Sequence, residues 1–143
     1  MRELVGRARP LAITFHRAFD ACADPHAALD TLARLGVDRV LTSGQEATAL
    51  EGLELLVELV ARAAGRLGVM PACGDLLPRH VRHVVDTSRA PECHVTGFAG
   101  RESGMRFRRA RLYMGGALRP PEYHRSVTTA DEIRSVVDAL HVP

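Results

Sequence analysis

The sequence predicts an α/β fold of parallel strands joined by helices, and three observations predict it. Short β-branched and aromatic runs alternate with segments whose apolar residues recur every three or four positions. Proline, glycine or a capping side chain marks several of the helix ends. Strands separated by helices pair in parallel, because each helix carries the chain back over the sheet.

The elements follow in order. Leu11-Ala12-Ile13-Thr14-Phe15-His16 reads as a strand, with Pro10 just before it. Asp24-Pro25 opens a helix, Asp as N-cap and Pro at the first helical position; Ala28, Leu29, Leu32 and Leu35 give its apolar face and Gly36 stops it. Arg39-Val40-Leu41-Thr42-Ser43-Gly44 is the next strand. Leu53, Leu56, Val57 and Val60 mark the inward face of a longer helix that Gly65 closes. Leu67-Gly68-Val69-Met70 is a third strand, followed by a helix carrying Val81, Val84 and Val85, and Cys93-His94-Val95-Thr96 is a short fourth strand. From about Phe98 to Val127 the pattern breaks into an irregular stretch rich in Gly, Arg and Pro. A last helix begins at Thr129, which forms a capping box with Glu132 and is followed by an apolar face of Ile133, Val136, Val137 and Leu140.

Residues 1–143 make one domain, with 46% apolar and 25% charged residues, as expected of a globular chain. An open doubly wound sheet would fit this length. A complete (β/α)₈ barrel needs roughly 250 residues, so the chain holds about half of one. A formal charge of +2 is too small for a nucleic-acid footprint. The short cluster Arg106, Arg108, Arg109 and Arg111 reads as a solvated surface or a local anion contact. Three cysteines without a CxxC pair argue against a secreted disulfide framework. No apolar run is long enough to span a bilayer, and the start lacks the apolar core of a signal peptide, so a cytoplasmic location without membrane contact is expected.

Ligand groups in parallel α/β folds gather at the carboxyl ends of strands. The first such end is His16-Arg17-Ala18-Phe19-Asp20. Thr14 and His16 share one face of their strand and Ile13 and Phe15 the other, which packs on helices. His16, Arg17 and Asp20 could form a catalytic set: imidazole for proton transfer, guanidinium for an anion, carboxylate to fix a tautomer. The same residues also suit a structural Arg17–Asp20 ion pair beside a hydrogen-bonded histidine, and spacing does not choose between them. At Thr42-Ser43-Gly44-Gln45, Ser43 and Gly44 ahead of a helix suggest an anion cradle, or simply a capped loop. Gly74 and His94 mark the third and fourth ends as candidate ligand-binding positions. His16, Arg17 and His94 are expected to face a common cavity. Cys73 beside His94 raises a soft-metal reading, against that of an inert buried cysteine.

These motifs resemble a known family. Leu11-Ala12-Ile13-Thr14-Phe15-His16-Arg17-Ala18-Phe19-Asp20 is similar to the (V/I)TFHRAFD signature of the CutC copper-homeostasis proteins, and Gly36-Val37-Asp38-Arg39-Val40-Leu41-Thr42-Ser43-Gly44-Gln45 resembles their LG-x-x-RVLTSGQ stretch. Val69-Met70-Pro71-Ala72-Cys73-Gly74 is similar to a glycine-rich strand end, Glu92-Cys93-His94 to E-x-H, and Met105-Arg106-Phe107 to a late MR(F/Y) motif. The resemblance implies a partial TIM barrel, roughly the last four βα units, starting at the helix before the fifth strand. It implies copper homeostasis and copper ion binding, with copper as a cofactor that rests on the resemblance alone and no metal-ligating residues assigned. The family's proposed copper-binding cysteines lie in its N-terminal half, so this chain's dispersed cysteines are expected to bind copper weakly. Cys73, near an expected glycine, is expected to obstruct a ligand's approach to the backbone. An enzyme acting on a small anionic substrate through His16 and Arg17, and an inactive truncated product, are the alternatives. A half barrel exposes two sheet edges, so a homo-oligomer or a missing N-terminal half is expected to cover them.

Overall fold

Four parallel strands follow one another across the sheet in the order in which the chain makes them. They are β1 (Thr14–Phe15), β2 (Arg39–Thr42), β3 (Gly68–Gly74) and β4 (His94–Val95), in the order β1-β2-β3-β4. The protein is seen in a computed structural model that describes residues 1–74, 76–109, 111, 114 and 122–141. Thr14 pairs with Arg39, and Arg39 to Thr42 pair in turn with Gly68 to Pro71. Ala72 pairs with His94 and Gly74 with Val95, which leaves Cys73 as the extra residue of a bulge.

This order decides between the two architectures that length alone allows. An open doubly wound sheet reverses its strand order and carries helices on both faces. Here the order never reverses, so right-handed crossovers place successive helices on one face. Burial agrees: Val40 and Thr42 on β2, and Val69, Pro71 and Cys73 on β3, are buried, while the residues between them are only half-buried. The α/β fold is that of consecutive barrel units.

The helices are α1 (Arg2–Ala8), α2 (Pro25–Leu35), α3 (Leu53–Ala63), α4 (Pro78–Ser88) and α5 (Ala130–His141). Asp24 caps α2 as its sequence requires, its Oδ1 accepting from Ala27 N–H at 2.9 Å, and Gly36 ends it in the left-handed conformation at φ 77°. Leu29 and Leu32 of α2, Leu56, Leu59 and Ala63 of α3, and Val81 and Val84 of α4 meet Val37, Val40, Val69 and Cys73 in one core. The α3 face is rotated from the expected one: Leu59 is buried and Val57 is 38% exposed. Only half of the capping box at α5 forms. Thr129 Oγ1 accepts from Glu132 N–H at 3.4 Å, whereas the N–H of Thr129 donates to Gly97 O at 3.0 Å. Gly97, at φ 58°, is needed there, since a Cβ would lie 2.4 Å from Ile133 Cδ1.

Several boundaries differ from the sequence reading. β1 stops at Phe15, because His16 turns the chain into a 3₁₀ turn over Arg17–Ala21. β2 stops at Thr42, where Gly44 and Gln45 take φ of 74° and 62°. β3 runs on to Gly74, four residues beyond Met70. The stretch read as irregular contains an antiparallel hairpin of β5 (Phe98–Glu102) and β6 (His124–Thr128). It was hidden because both strands are largely solvated and show no apolar alternation. Arg108 is held there by Glu102 at 2.6 Å and lies over the Tyr123 ring, in keeping with a solvated arginine cluster.

At the amino end of the sheet, Arg39 Nε donates to Glu92 Oε1 at 2.6 Å across β3. The bridge passes over Gly68, where a Cβ would stand 3.0 Å from the Glu92 carboxylate. This pair ties β2 to the segment before β4 at the end away from the strand-end residues.

Candidate functional site

Asp20 is the centre of the polar arrangement at the carboxyl ends of β1 and β2. Phe19, fully buried beneath the 3₁₀ turn, holds that turn against the core and aims Asp20 at the end of β2. There the carboxylate accepts from Thr42 Oγ1, from the backbone N–H of Ser43 at 3.1 Å and Gln45 at 3.3 Å, and from Arg17 Nε at 2.8 Å. Arg17 Nη2 reaches on to Ser43 Oγ and to Glu46 O. Ser43 Oγ lies close to both Asp20 Oδ2 and Glu46 O. Its single proton serves one of them at a time.

Burial by itself would raise the Asp20 pKa. The hydrogen bonds from Thr42, Arg17, Ser43 and Gln45 outweigh it and hold the carboxyl below its ordinary value of 3.8. The group is therefore an anion at neutral pH and serves as an acceptor rather than as an acid. Arg17 is correspondingly engaged on three sides, by Asp20, Ser43 and Glu46.

The loop beyond is closed by backbone packing. A Cβ on Gly52 would lie 2.0 Å from Ser43 O, and one on Gly44 would lie 2.3 Å from Gly52 O. No side chain fits between these two segments, and Gly44 also needs its positive φ. Gln45 is held in the left-handed region by its N–H on Asp20 and its Nε2 on Cys22 O at 2.6 Å. The groove beside Gly44 and Gly52 is lined by Glu46, Glu51, Glu54 and Glu58. Glu46 and Glu51 of the preceding loop and Glu54 and Glu58 of α3 give this groove a negative local charge, which opposes an anion on that side of Gly44.

The expected site residues fall into two groups. Arg17, Asp20 and Ser43 are brought together, with His16 beside them. His16 Nδ1 accepts from Ala18 N–H at 3.0 Å, which in the neutral ring leaves the proton on Nε2. Its ring stacks on Phe15 at 5.4 Å and is exposed, on the face away from the helices, as the alternation from Thr14 requires. Gly74 and His94 lie on β3 and β4. With β2 and β3 between them, β1 and β4 are separated by three strand spacings, about 14 Å. His16 and His94 thus stand at opposite edges of the sheet, both exposed on the face away from the helices. Thr42 and Gln45 were present in the motif but not singled out, since nothing in the spacing shows that Asp20 reaches them.

Two expectations about cysteine are also corrected. Cys73 is fully buried on the helix side of β3, so it does not obstruct the strand end, and a Cβ added at Gly74 would meet nothing within 4 Å. The thiols are not all dispersed: Cys73, the bulge residue of β3, lies opposite the segment that carries Cys93, and the two thiols interact electrostatically. Interaction with Cys93, together with burial, pushes the Cys73 thiol up, while its interaction with Cys73 lowers Cys93 against the opposing effect of burial. Among the described residues no group of three or more His, Cys, Asp or Glu converges as a metal site.

The CutC family profile matches residues 1–99. The chain is 44% identical over 134 residues to the copper homeostasis protein cutC homolog of Mus musculus, and equally to that of Homo sapiens, covering 94% of this chain and 49% of each relative. A CutC family protein of Porphyromonas gingivalis is 41% identical over 138 residues, covering 96% of this chain and 55% of its own. The chain spans about half the length of these curated relatives. Among solved structures, a CutC crystal structure from Streptococcus agalactiae superposes with a TM-score of 0.59 at 24% identity, over 66% of this chain and 46% of that one. That likeness concerns the fold.

Replacing Asp20 by Ala should leave Thr42, Ser43, Gln45 and Arg17 without their acceptor and lower stability by about 2–3 kcal/mol near neutral pH. Because folding lowers the Asp20 pKa, its contribution is complete above the unfolded value of 3.8 and fades as pH falls through the folded one. Denaturant unfolding of both proteins from pH 7 to pH 3 checks this. The gap between them should narrow only at the acid end.

Proposed function

The chain belongs to the CutC family, and from that premise we propose that it acts in copper homeostasis as four βα units of a CutC-type barrel. The observation that carries this reading is the match over 94% of the chain to relatives named for copper homeostasis. Copper is then cargo or regulated ion, and the strand-end network of Asp20 supplies order at the rim rather than metal ligands. The engagement of Arg17 by Asp20, Ser43 and Glu46 supports this division of roles.

The proposed compartment is the cytosol. Three free cysteines suit a reducing environment. No helix among the described residues is long and apolar enough to cross a membrane.

The proposed assembly follows from the sheet. β1 and β4 are its edges, and Thr14, His16 and His94 are exposed on its inner face. Unpaired strand edges bind other strands, and four more strands would complete the eight of a closed barrel. In the isolated chain a second copy supplies them. Light scattering on dilute, freshly eluted protein should give a mass of two chains or more, whereas a monomer that unfolds cooperatively would contradict the assembly.

The copper reading is checked in cells. Removing the gene should change growth across a graded copper series, with a copy of the gene restoring the original curve and zinc producing no such difference. Identical copper curves with and without the gene would overturn it.

A further inference from the structure

Arg101 and Arg125 are register partners across the hairpin of β5 and β6. Backbone bonds join Thr129 to Gly97 and Ser103 to Tyr123 on the same ladder. Such pairs alternate in antiparallel strands, so Arg101 and Arg125 form a hydrogen-bonded pair with Cα atoms about 5.5 Å apart. Both are exposed, on the strand face that also carries half-buried Ala99 and Val127. Neither side chain makes an ion pair or a hydrogen bond with any described residue. The nearest acid in the strands is committed elsewhere: Glu102, on the opposite face, binds Arg108 at 2.6 Å and lies 3.3 Å from His124. Like charges directly opposite one another destabilise a strand pair. Elsewhere in the chain arginines such as Arg17, Arg39 and Arg62 rest on carboxylates. Two bare guanidiniums side by side are thus a cost that strand pairing does not require, and an anion between them removes it.

We propose that Arg101 and Arg125 bind one phosphate group between their guanidiniums, carried by the free ion or by a small-molecule phosphate monoester.

Charge and donor count point to this class of ligand. A carboxylate or a phosphodiester presents one charge and two free oxygens, which the fork of a single guanidinium already satisfies. A phosphate monoester presents nearly two charges and three acceptor oxygens, so it can take a fork from each arginine and balance both. Guanidinium is also weakly hydrated and always charged, so little is lost in freeing it for the ligand. The position agrees with the chemistry. The hairpin is joined through Thr96 and Gly97 to the carboxyl end of β4, and Thr128 Oγ1 donates to Thr96 O at 2.9 Å, which anchors both of its strands there. Ligands of parallel barrel units gather at that end of the strands. The site is separate from Arg17, whose guanidinium is occupied by Asp20, Ser43 and Glu46.

The test is an NMR titration of the full chain in which sodium phosphate replaces sodium chloride at constant ionic strength. The backbone amide signals of Arg101 and Arg125 should shift along a saturating, single-site curve. Arg101→Gln and Arg125→Gln, each followed at the remaining arginine, should weaken binding about tenfold. Arg101→Lys, which keeps the charge and loses the fork, should fall between them and the parent chain. Arg2→Gln, the same change of charge on α1, should leave the affinity unaltered. In chloride alone the glutamine variants should melt no lower than the parent, because a repulsion has been removed, so a loss of binding is not a loss of fold. Glycerol phosphate in place of the free ion tells the two sources apart, tighter binding pointing to an ester and weaker binding to free phosphate. A shift that grows without saturating, acetate bound as tightly as phosphate, or undiminished affinity in Arg125→Gln overturns the site.

Discussion

Everything at the carboxyl ends of the first two strands depends on one carboxylate. Asp20 leaves β1 on a short 3₁₀ turn and is received by donors that belong to the exit of β2. The turn cannot move without abandoning those donors, and the loop cannot open without leaving a half-buried anion unpaired. Removing one side of such an arrangement costs far more than either hydrogen bond contributes alone. Arg17 adds charge compensation and extends the hold to Ser43 and Glu46. The residues most suggestive of catalysis therefore first act on one another.

A second constraint operates through glycine. Gly44 and Gly52 let two backbone segments approach where any Cβ would collide, and Gly97 makes room for the Ile133 side chain. The helices consequently sit close over the strand exits on one face of the sheet. The other face carries Thr14, His16 and His94 outward, and no helix among the described residues covers them. One-sided covering is what barrel units require, and it accounts for why the same four strands have a well-formed core and two unpaired edges.

Much of this was legible in the residues. β-branched runs marked β1 and β2, Asp24-Pro25 and Gly36 bounded α2, and the alternation from Ile13 to His16 sorted inner from outer face. What escaped was whatever depends on register and reach. That Asp20 bonds Thr42 and Gln45 follows from where a turn aims a side chain, which no local pattern encodes. That His16 and His94 stand at opposite edges follows from strand order. That Cys73 lies opposite the segment carrying Cys93 needs both the pairing of β3 with β4 and the bulge between Ala72 and Gly74. The solvated hairpin of β5 and β6 has no apolar stripe to betray it.

The claim that Asp20 organises the strand ends is tested most directly by following the backbone amide signals of Ser43 and Gln45 by NMR as pH is lowered. Both amides donate to the same carboxylate, so both should shift with one common midpoint below 3.8, the ordinary value for this side chain, and the response should vanish in Asp20→Asn. Separate midpoints, a midpoint at or above the ordinary value, or an unchanged response in Asp20→Asn would contradict the account.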